Sequence, residues 1–256
     1  ARLHAPCHCT MNDRQKDLIQ KFAALAGLLV LVAVFSATSS SFFTLGNGMT
    51  VALQVTSIVY LGIGATYVIL TGGIDLSVGS ILALSGVAAA LAVKAGMPVP
   101  LGMAIGIGVG ALCGALNGLL VTRLKLPPFI ATLGMMLIAR GVALQVTGAR
   151  AISGLGDAFG ELGNGSLWRV VKLDARGFPD VVFPGIPYPV LLMIVLAVIA
   201  SILLTRTTIG RHIHAVGSNA EAARLSGVNV GRVVMFAYVV SGALAGLTGC
   251  VLMSRL

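Results

Sequence analysis

Three polar side chains lie inside or between long apolar stretches of this sequence, and they are the first candidates for chemistry. Asp75 is the only acidic residue between Asp17 and Asp157, while Asn117 and Arg140 each lie in an apolar run. An ionised side chain inside a bilayer costs a few kcal/mol, so such residues face protein or water and mark routes for polar solutes. We therefore take Asp75, Asn117 and Arg140 as candidates for a polar path or its gate.

Asp75 belongs to a segment that separates two apolar runs, residues 71–79 with the sequence TGGIDLSVG. Gly72 and Gly73 end the preceding helix, and Asp75 is placed to cap the next helix by accepting from N–H groups two or three residues later. Two interpretations remain open. One is a tight helix hairpin at the membrane surface, and the other is a helix broken inside the membrane, whose unwound backbone lines a polar path. On the second interpretation Gly72 and Gly73 join the candidate path residues.

Arg140 lies eleven residues after Phe129 inside an apolar run and therefore needs a partner. Asp75 is the obvious acidic candidate. The alternative is that Arg140 extends towards the outer face or bonds backbone carbonyls, with a structural role only.

One apolar run carries a glycine at every fourth position, which predicts close contact with another helix through its backbone. These glycines are Gly102, Gly106, Gly110, Gly114 and Gly118. The same run contains GIGVGA, which formally matches a dinucleotide fingerprint. That match lies mid-span with no strand before it, so it carries no functional meaning.

The elements that position these residues are seven apolar runs, each close to the length of about 17 to 25 residues that crosses a bilayer as a helix. The runs are 18–37, 49–70, 76–93, 99–121, 129–147, 188–204 and 233–253. Hydrophobic residues make up 57% of the chain and charged residues only 10%, far from globular composition. We therefore predict an all-α polytopic membrane protein with about seven transmembrane helices.

Several functional classes are excluded by the sequence. The net charge of +9 comes from basic residues placed mostly between apolar runs, without interleaved aromatics, so nucleic-acid binding is not expected. No G-x-x-x-x-G-K-[ST] phosphate loop, serine nucleophile elbow or carboxylate pair occurs, so ATP binding by that route and catalysis are not indicated. The four cysteines are not spaced as a disulfide framework, and we expect neither a metal nor a cofactor.

The first ten residues, ARLHAPCHCT, differ from the rest of the chain, and Met11 begins a basic amphiphilic start. We expect residues 1–10 to be non-native or an upstream leader, and residues 11–256 to form a single transmembrane domain. No cleavage site follows residue 18, so the first span is expected to be retained.

The distribution of Lys and Arg predicts the orientation. With the N-terminus inside, the inner segments carry nine of these residues, or ten with Arg2, and the outer segments carry six. Residues 148–187 then form a long outer segment that contains Trp168. A loop of this length is either disordered or functional, and on the outer face it would be available to a soluble delivery protein.

Residues 205–232 form a polar segment between the last two apolar runs, placed inside by the same rule. Ser218 and Glu221 match a capping box, Gly227 matches a closing glycine, and together they predict a helix over 219–226. Eight residues do not hold a helix in water unaided, so this one must pack against the membrane domain or against a partner.

Several of these stretches together resemble the permease subunits of ATP-binding-cassette sugar importers of the ribose, xylose and arabinose kind. The stretches are GGIDLSVG at 72–79, GALNG at 114–118, PFIATLG at 128–134, Arg140-Gly141, GRH at 210–212 and AARLSG at 222–227. They extend from the second run to the last. The resemblance is specific as a set, although each stretch alone is short.

The resemblance implies that residues 205–232 are a cytoplasmic coupling loop whose short helix sits in a groove of a separate ATPase. The implied coupling residues are Gly210, Ser218, Asn219, Glu221, Ala222, Ala223, Arg224 and Gly227. It also implies a second permease subunit, identical or different, a periplasmic sugar-binding protein, and a bacterial inner membrane with the N-terminus cytoplasmic.

We therefore expect a non-enzymatic subunit that moves a monosaccharide inward. The alternatives are a permease for another small solute, such as a nucleoside or branched-chain amino acid, an ATP-independent secondary transporter, and a truncated product without transport function. The resembled family usually continues through further spans after the seventh, so we expect a fragment or a truncated product.

Overall fold

The computed structural model describes residues 13–173 and 179–255. The elements in those ranges are α1 (Asp13–Thr38), α2 (Leu45–Leu70), α3 (Val78–Lys94), α4 (Val99–Thr122), α5 (Pro128–Thr147), α6 (Asp157–Asn164), β1 (Ser166–Leu167), β2 (Val170–Leu173), β3 (Pro179–Phe183), β4 (Ile186–Pro187), α7 (Tyr188–Arg206), α8 (Thr208–Ser218), α9 (Ala220–Leu225) and α10 (Val230–Met253).

All seven apolar runs are helical, as predicted. Five helices, α2, α4, α5, α7 and α10, are long and apolar enough to cross a membrane. Helix α3, with 17 residues, and the apolar part of α1, Phe22–Thr38, are shorter. The prediction of an all-α polytopic membrane protein is confirmed.

The Cα packing divides the chain into two compact units, with the boundary after Gly48. In the first unit, α1 is followed by a tight turn. Phe35 and Phe42 stack there with ring centroids 6.0 Å apart, and the Asn47 side chain donates to the Phe42 carbonyl at 2.9 Å. The predicted boundary at residue 10 lies outside the described residues, and the division at Gly48 was not predicted from the sequence.

The core of the second unit is the packing of α10 against α3 and α4. Gly110 and Gly242 face each other across the α4–α10 contact, and a Cβ on either one would collide with the carbonyl oxygen of the other. Gly114 likewise lies against the backbone of Tyr238, and Gly118 against Met235. The backbones of α4 and α10 approach closely because α4 carries no side chain at these points.

The other two glycines of the α4 stripe extend this contact surface to α3. Gly102 lies against Ala89 and Val93, and Gly106 contacts both the Ser85 carbonyl and the Cys250 sulfur. All five glycines of the stripe are buried. Helix α4 is therefore held on both sides through positions that admit only glycine or a very small residue.

The segment 148–187, which the sequence left as disordered or functional, contains regular structure. Helix α6 is followed by strand β1, which pairs antiparallel with β4 through Ser166–Pro187 and Leu167–Ile186. Strand β2 also pairs antiparallel with β3. Trp168 lies between β1 and β2 with a positive φ of 59° and is 73% exposed.

Candidate functional site

The candidate site is built around residues 71–77, which we call the Asp75 segment, an unwound stretch between α2 and α3. Gly72 has a positive φ of 78°, a conformation that glycine adopts without strain. Gly73 donates to the Val68 carbonyl at 3.0 Å, and a Cβ on Gly73 would lie 2.8 Å from the Tyr238 hydroxyl oxygen. The two glycines thus end α2 and allow the chain to turn closely against α10.

The Asp75 segment lies inside the layer of helices and not at its edge. Ser241 donates to Asp75 Oδ2 at 2.9 Å, and Ser241 lies near the middle of α10, about 16 Å along the axis from Val230. Asn117, which contacts the same segment, lies five residues before the end of α4. This depth favours the broken-helix interpretation over a hairpin at the surface.

Asp75 is the centre of a polar network that joins three helices. Its Oδ1 accepts from the backbone N–H of Ser77 at 3.0 Å and from the Ser77 hydroxyl at 2.5 Å. The Asn117 carboxamide donates to the Ser77 hydroxyl oxygen at 2.8 Å. With Ser241 included, the carboxylate is tied to α3, α4 and α10. The predicted acceptance from Ser77 N–H is present, although α3 begins at Val78 and Ser77 is its N-cap.

Asn117 is completely buried, and its carbonyl oxygen accepts no hydrogen bond from the described part of the chain. A buried acceptor without a donor loses about 1 to 3 kcal/mol relative to a satisfied one. The carbonyl oxygen of Asn117 is therefore an unsatisfied acceptor, closed off from solvent in this conformation, next to a carboxylate that is only partly buried.

Arg140 is not paired with Asp75, so the first of the two interpretations offered for Arg140 is wrong. It is exposed, and among the described residues the only ion pair is between Arg224 and Glu221. The reason is depth: Thr132, which contacts the Ile74 carbonyl, lies eight residues before Arg140, or about 12 Å along α5. The two charges lie at different levels of the bundle.

Arg140 instead lines a separate, largely apolar cavity of about 800 Å³ between α3 and α5 and the residues that follow α5. Arg150 and Thr147 contribute the other main polar groups, with Val87 and Met253 among the apolar ones. The structure therefore brings Asp75 and Asn117 together and leaves Arg140 apart.

Three residues of the network were not selected as site residues from the sequence: Ser77, Tyr238 and Ser241. A signal for two of them exists, since Tyr238 and Ser241 are three residues apart in an apolar run and so share one helix face. Isolated polar groups at that spacing face protein in a membrane helix. The sequence does not show which residues that helix face contacts; the packing of α10 against the Asp75 segment does.

The second candidate region is the segment 205–232, which contains two helices and not one. Helix α8 is amphipathic and was not predicted. It buries Gly210, Ile213 and Val216 and exposes both of its histidines. Gly210 lies against the Leu203 and Leu204 carbonyls, where a Cβ would not fit.

The predicted capping box at Ser218 is wrong. Ser218 is the last residue of α8, and its backbone is already helical. Asn219 has an extended backbone and caps α9, with its Oδ1 accepting from the N–H groups of Glu221 and Ala222 at 3.0 Å each. Glu221 instead pairs with Arg224 at 2.6 Å on the exposed face.

Gly227 closes α9 as predicted. It has a φ of +87°, its N–H donates to the Arg224 carbonyl, and the Val228 N–H donates to the Ala223 carbonyl, each at 3.0 Å. This pair of bonds is a Schellman motif, which satisfies the last carbonyls of the helix. The short helix is thus capped at both ends by the chain itself.

The two faces of α9 have different surroundings. Ala223 is buried in a hydrophobic cluster that also contains Ile213, Val216, Tyr67 and Tyr238. Leu225 is 81% exposed, the largest exposed fraction among the exposed large hydrophobic residues of the described chain. Ala223 therefore holds α9 to the membrane domain, and the surface free for a partner is the one that carries Ala222, Arg224 and Leu225.

The fold and these two regions define a multi-pass membrane protein with a polar segment inside its helices. The profile of the family described as branched-chain amino acid transport system / permease component matches residues 47–256. The chain belongs to this family of permease components.

Similar proteins include the ribose import permease protein of Bacillus subtilis (strain 168), which is 39% identical over 93% of this chain and 70% of its own length. The ribose import permease protein of Escherichia coli (strain K12) is 38% identical over 94% and 71%. The D-allose transport system permease protein of the same strain is 36% identical over 92% and 68%. The resemblance to permeases of sugar importers is confirmed by these relatives. No solved structure matches the chain.

Proposed function

We propose that this chain is the permease subunit of an ATP-binding-cassette importer and that it carries a monosaccharide inward. The observation that carries the proposal is its similarity, over more than nine-tenths of its length, to two ribose import permeases and a D-allose permease. A separate subunit hydrolyses ATP, which agrees with a sequence that has no phosphate loop.

The polar path passes the Asp75 segment. Asp75 offers a partly buried carboxylate and Asn117 an unsatisfied carbonyl oxygen within one network, and both are acceptors for sugar hydroxyls once the transport cycle opens the buried Asn117 to the path. Gly72 and Gly73 keep the backbone unwound beside them. Arg140, in its own cavity, belongs to a different level of the path, where it acts as a gate or entrance.

The segment 205–232 couples the permease to the ATPase. Helices α8 and α9 pack on the membrane domain through Gly210, Ile213, Val216 and Ala223. This packing stabilises helices that are too short to be stable alone. The caps at Asn219 and Gly227 fix the ends of α9, and the exposed Leu225 is the apolar group that enters a groove of the ATPase.

The same proposal includes the orientation and the remaining partners. The N-terminus and the segment 205–232 lie on the cytoplasmic side of a bacterial inner membrane, and the segment 148–187 receives a sugar-binding protein on the other side. Two permease subunits each contribute half of the central path.

Uptake of labelled ribose into proteoliposomes tests the function directly. The vesicles contain the chain with its co-purifying ATPase, and the solute-binding protein is added outside. We expect ATP-dependent uptake of ribose and none of leucine. Uptake that persists after the ATPase is inactivated would overturn the importer assignment, and uptake of leucine alone would replace the sugar by an amino acid, as the family description allows.

Docking is tested by Leu225→Asp, with Ala223→Asp as the comparison. Leu225→Asp places a charge on an exposed surface, so the protein is expected to fold normally but to lose ATPase binding by at least about tenfold, as for a buried apolar anchor. Ala223→Asp buries a charge and is expected to lower the thermal stability of the purified chain. Normal ATPase binding by Leu225→Asp would contradict the docking role.

A further inference from the structure

Tyr238 connects the Asp75 segment to the cluster that supports α8 and α9. Its hydroxyl donates to the carbonyl oxygen of Ile74, the neighbour of Asp75, at 3.2 Å. Its side chain is completely buried and belongs to the same hydrophobic cluster as Ile213, Val216 and Ala223. One side chain thus touches the polar network with its hydroxyl end and shares a core with the helices that face the ATPase.

Helix α10 holds the Asp75 segment at two successive points. Tyr238 donates to Ile74, and Ser241, one turn further along, donates to Asp75 at 2.9 Å. Gly73 makes the first contact possible, because a Cβ there would lie 2.8 Å from the Tyr238 hydroxyl oxygen. A displacement of α10 near Tyr238 therefore acts on the backbone that carries Asp75.

Residues 74–76 of the Asp75 segment have few other backbone restraints. Within the described chain, residues 74, 75 and 76 donate no backbone hydrogen bond. Thr132 also donates to the Ile74 carbonyl, but at 3.4 Å, and its shorter bond of 2.9 Å goes to Pro128 in its own helix. Residues with so few backbone hydrogen bonds depend for their position on the side chains that bond them, here Ser77, Tyr238 and Ser241.

The connection from α9 to α10 is short and capped. Gly227 ends α9, and the Asn229 side chain accepts from the Arg232 N–H at 3.1 Å to begin α10. Only residues 226–229 separate the two helices. A displacement of α9 therefore reaches α10 without passing through a flexible loop.

We propose that Tyr238 is the positioning residue through which movement of α8 and α9 reaches Asp75. The inference rests on the proposed function, because it needs an ATPase that moves those helices. The hydrogen bond from Tyr238 to Ile74 makes the backbone beside Asp75 move together with α10. A displacement of α10 driven by the ATPase therefore displaces the Asp75 segment as well.

The test is Tyr238→Phe, with Tyr67→Phe as the matched control. The Tyr67 hydroxyl donates to the Ala200 carbonyl at 3.1 Å from within the same cluster, so each variant loses one tyrosine-to-carbonyl hydrogen bond and keeps its ring. Ribose transported per ATP hydrolysed is measured in proteoliposomes with the ATPase and the binding protein. We expect Tyr238→Phe to keep its ATPase rate within about twofold while the ratio falls about fivefold to tenfold, the scale of one lost hydrogen bond. Tyr67→Phe is expected to keep the ratio.

A second pair of variants tests the contact between Tyr238 and the Asp75 segment by changing the segment and not the tyrosine. Gly73→Ala pushes the Tyr238 hydroxyl away and is expected to lower the ratio, whereas Gly79→Ala, which has open space around its Cβ position, is expected to leave it unchanged. Equal ratios for Tyr238→Phe, Tyr67→Phe and the wild type would overturn the role of Tyr238. If the wild type itself shows no ATP-dependent ribose uptake, the proposed function fails instead.

Discussion

Ser77 is the residue on which the polar network depends most. Its hydroxyl accepts from Asn117 and donates to Asp75, so it links the carboxamide to the carboxylate. Ser80, one turn further along α3, is almost as deeply buried, yet its hydroxyl has no partner in the described chain. Two serines at the start of α3 thus differ in what their hydroxyl groups contribute.

We predict that Ser77→Ala lowers the free energy of unfolding by about 1 to 3 kcal/mol, because it leaves the Asn117 carboxamide buried without an acceptor. Ser80→Ala removes a hydroxyl that bonds nothing and is expected to be neutral or slightly stabilising. Thermal denaturation of the purified variants in detergent measures both. A loss of stability from Ser80→Ala equal to that from Ser77→Ala would contradict the network.

The residue types of the site were predictable, but their pairing was not. Asp75 and Asn117 were identified because polar groups are rare in apolar runs. Asp75 was the obvious acidic candidate to pair with Arg140, but charge alone does not give depth, and Arg140 lies about 12 Å further along α5 than Thr132, which contacts the Asp75 segment.

At the scale of elements, the helices whose signal is hydropathy were predicted, and of the shorter helices only α9 was, from its capping residues. The seven apolar runs all form helices, and the glycine stripe of α4 lies in the contact with α3 and α10. Helix α8 was missed because it buries only one face and so contains no long apolar run that would mark it in the sequence. The cap of α9 was misplaced by one residue because Ser218 and Asn219 are both good capping residues, and only the end of α8 decides between them.

The α4–α10 contact predicts a difference between two neighbouring glycines. Gly110→Ala and Gly108→Ala both gain about 1 kcal/mol of helix propensity. Gly110 faces the Gly242 carbonyl with no room for a Cβ, whereas Gly108 has open space around it. We expect Gly110→Ala to lower the melting temperature of the purified chain and Gly108→Ala to leave it equal or raise it. The reverse order would mean that α4 and α10 do not pack through their backbones.

At the scale of the whole molecule, the two ends of the helix layer have different characters. One end gathers the end of α2, α8, α9 and the start of α10, since a Cβ on Gly217 would collide with the Leu70 carbonyl. The other end carries α6, where the Asn164 side chain donates to the Ser254 carbonyl at 3.4 Å after the end of α10. The proposed orientation makes the first end cytoplasmic.

Cysteine labelling tests this orientation. In a background with Cys7 and Cys9 replaced by serine, the remaining Cys113 and Cys250 are buried and unreactive. Trp168→Cys and Leu225→Cys place a thiol on an exposed site at opposite ends of the layer. We expect a membrane-impermeant maleimide to label Trp168→Cys in intact spheroplasts and Leu225→Cys only after permeabilisation. The opposite pattern would invert the topology.

The glycine contact between α4 and α10 also has a consequence for biosynthesis. Helix α4 enters the membrane long before α10 exists, since residues 123–229 separate them, a stretch that a ribosome translates in roughly 5 to 20 s. During that time the bare backbone face of α4 meets only lipid or α3. The nascent chain therefore passes through a stage in which the glycine face of α4 still lacks its partner helix.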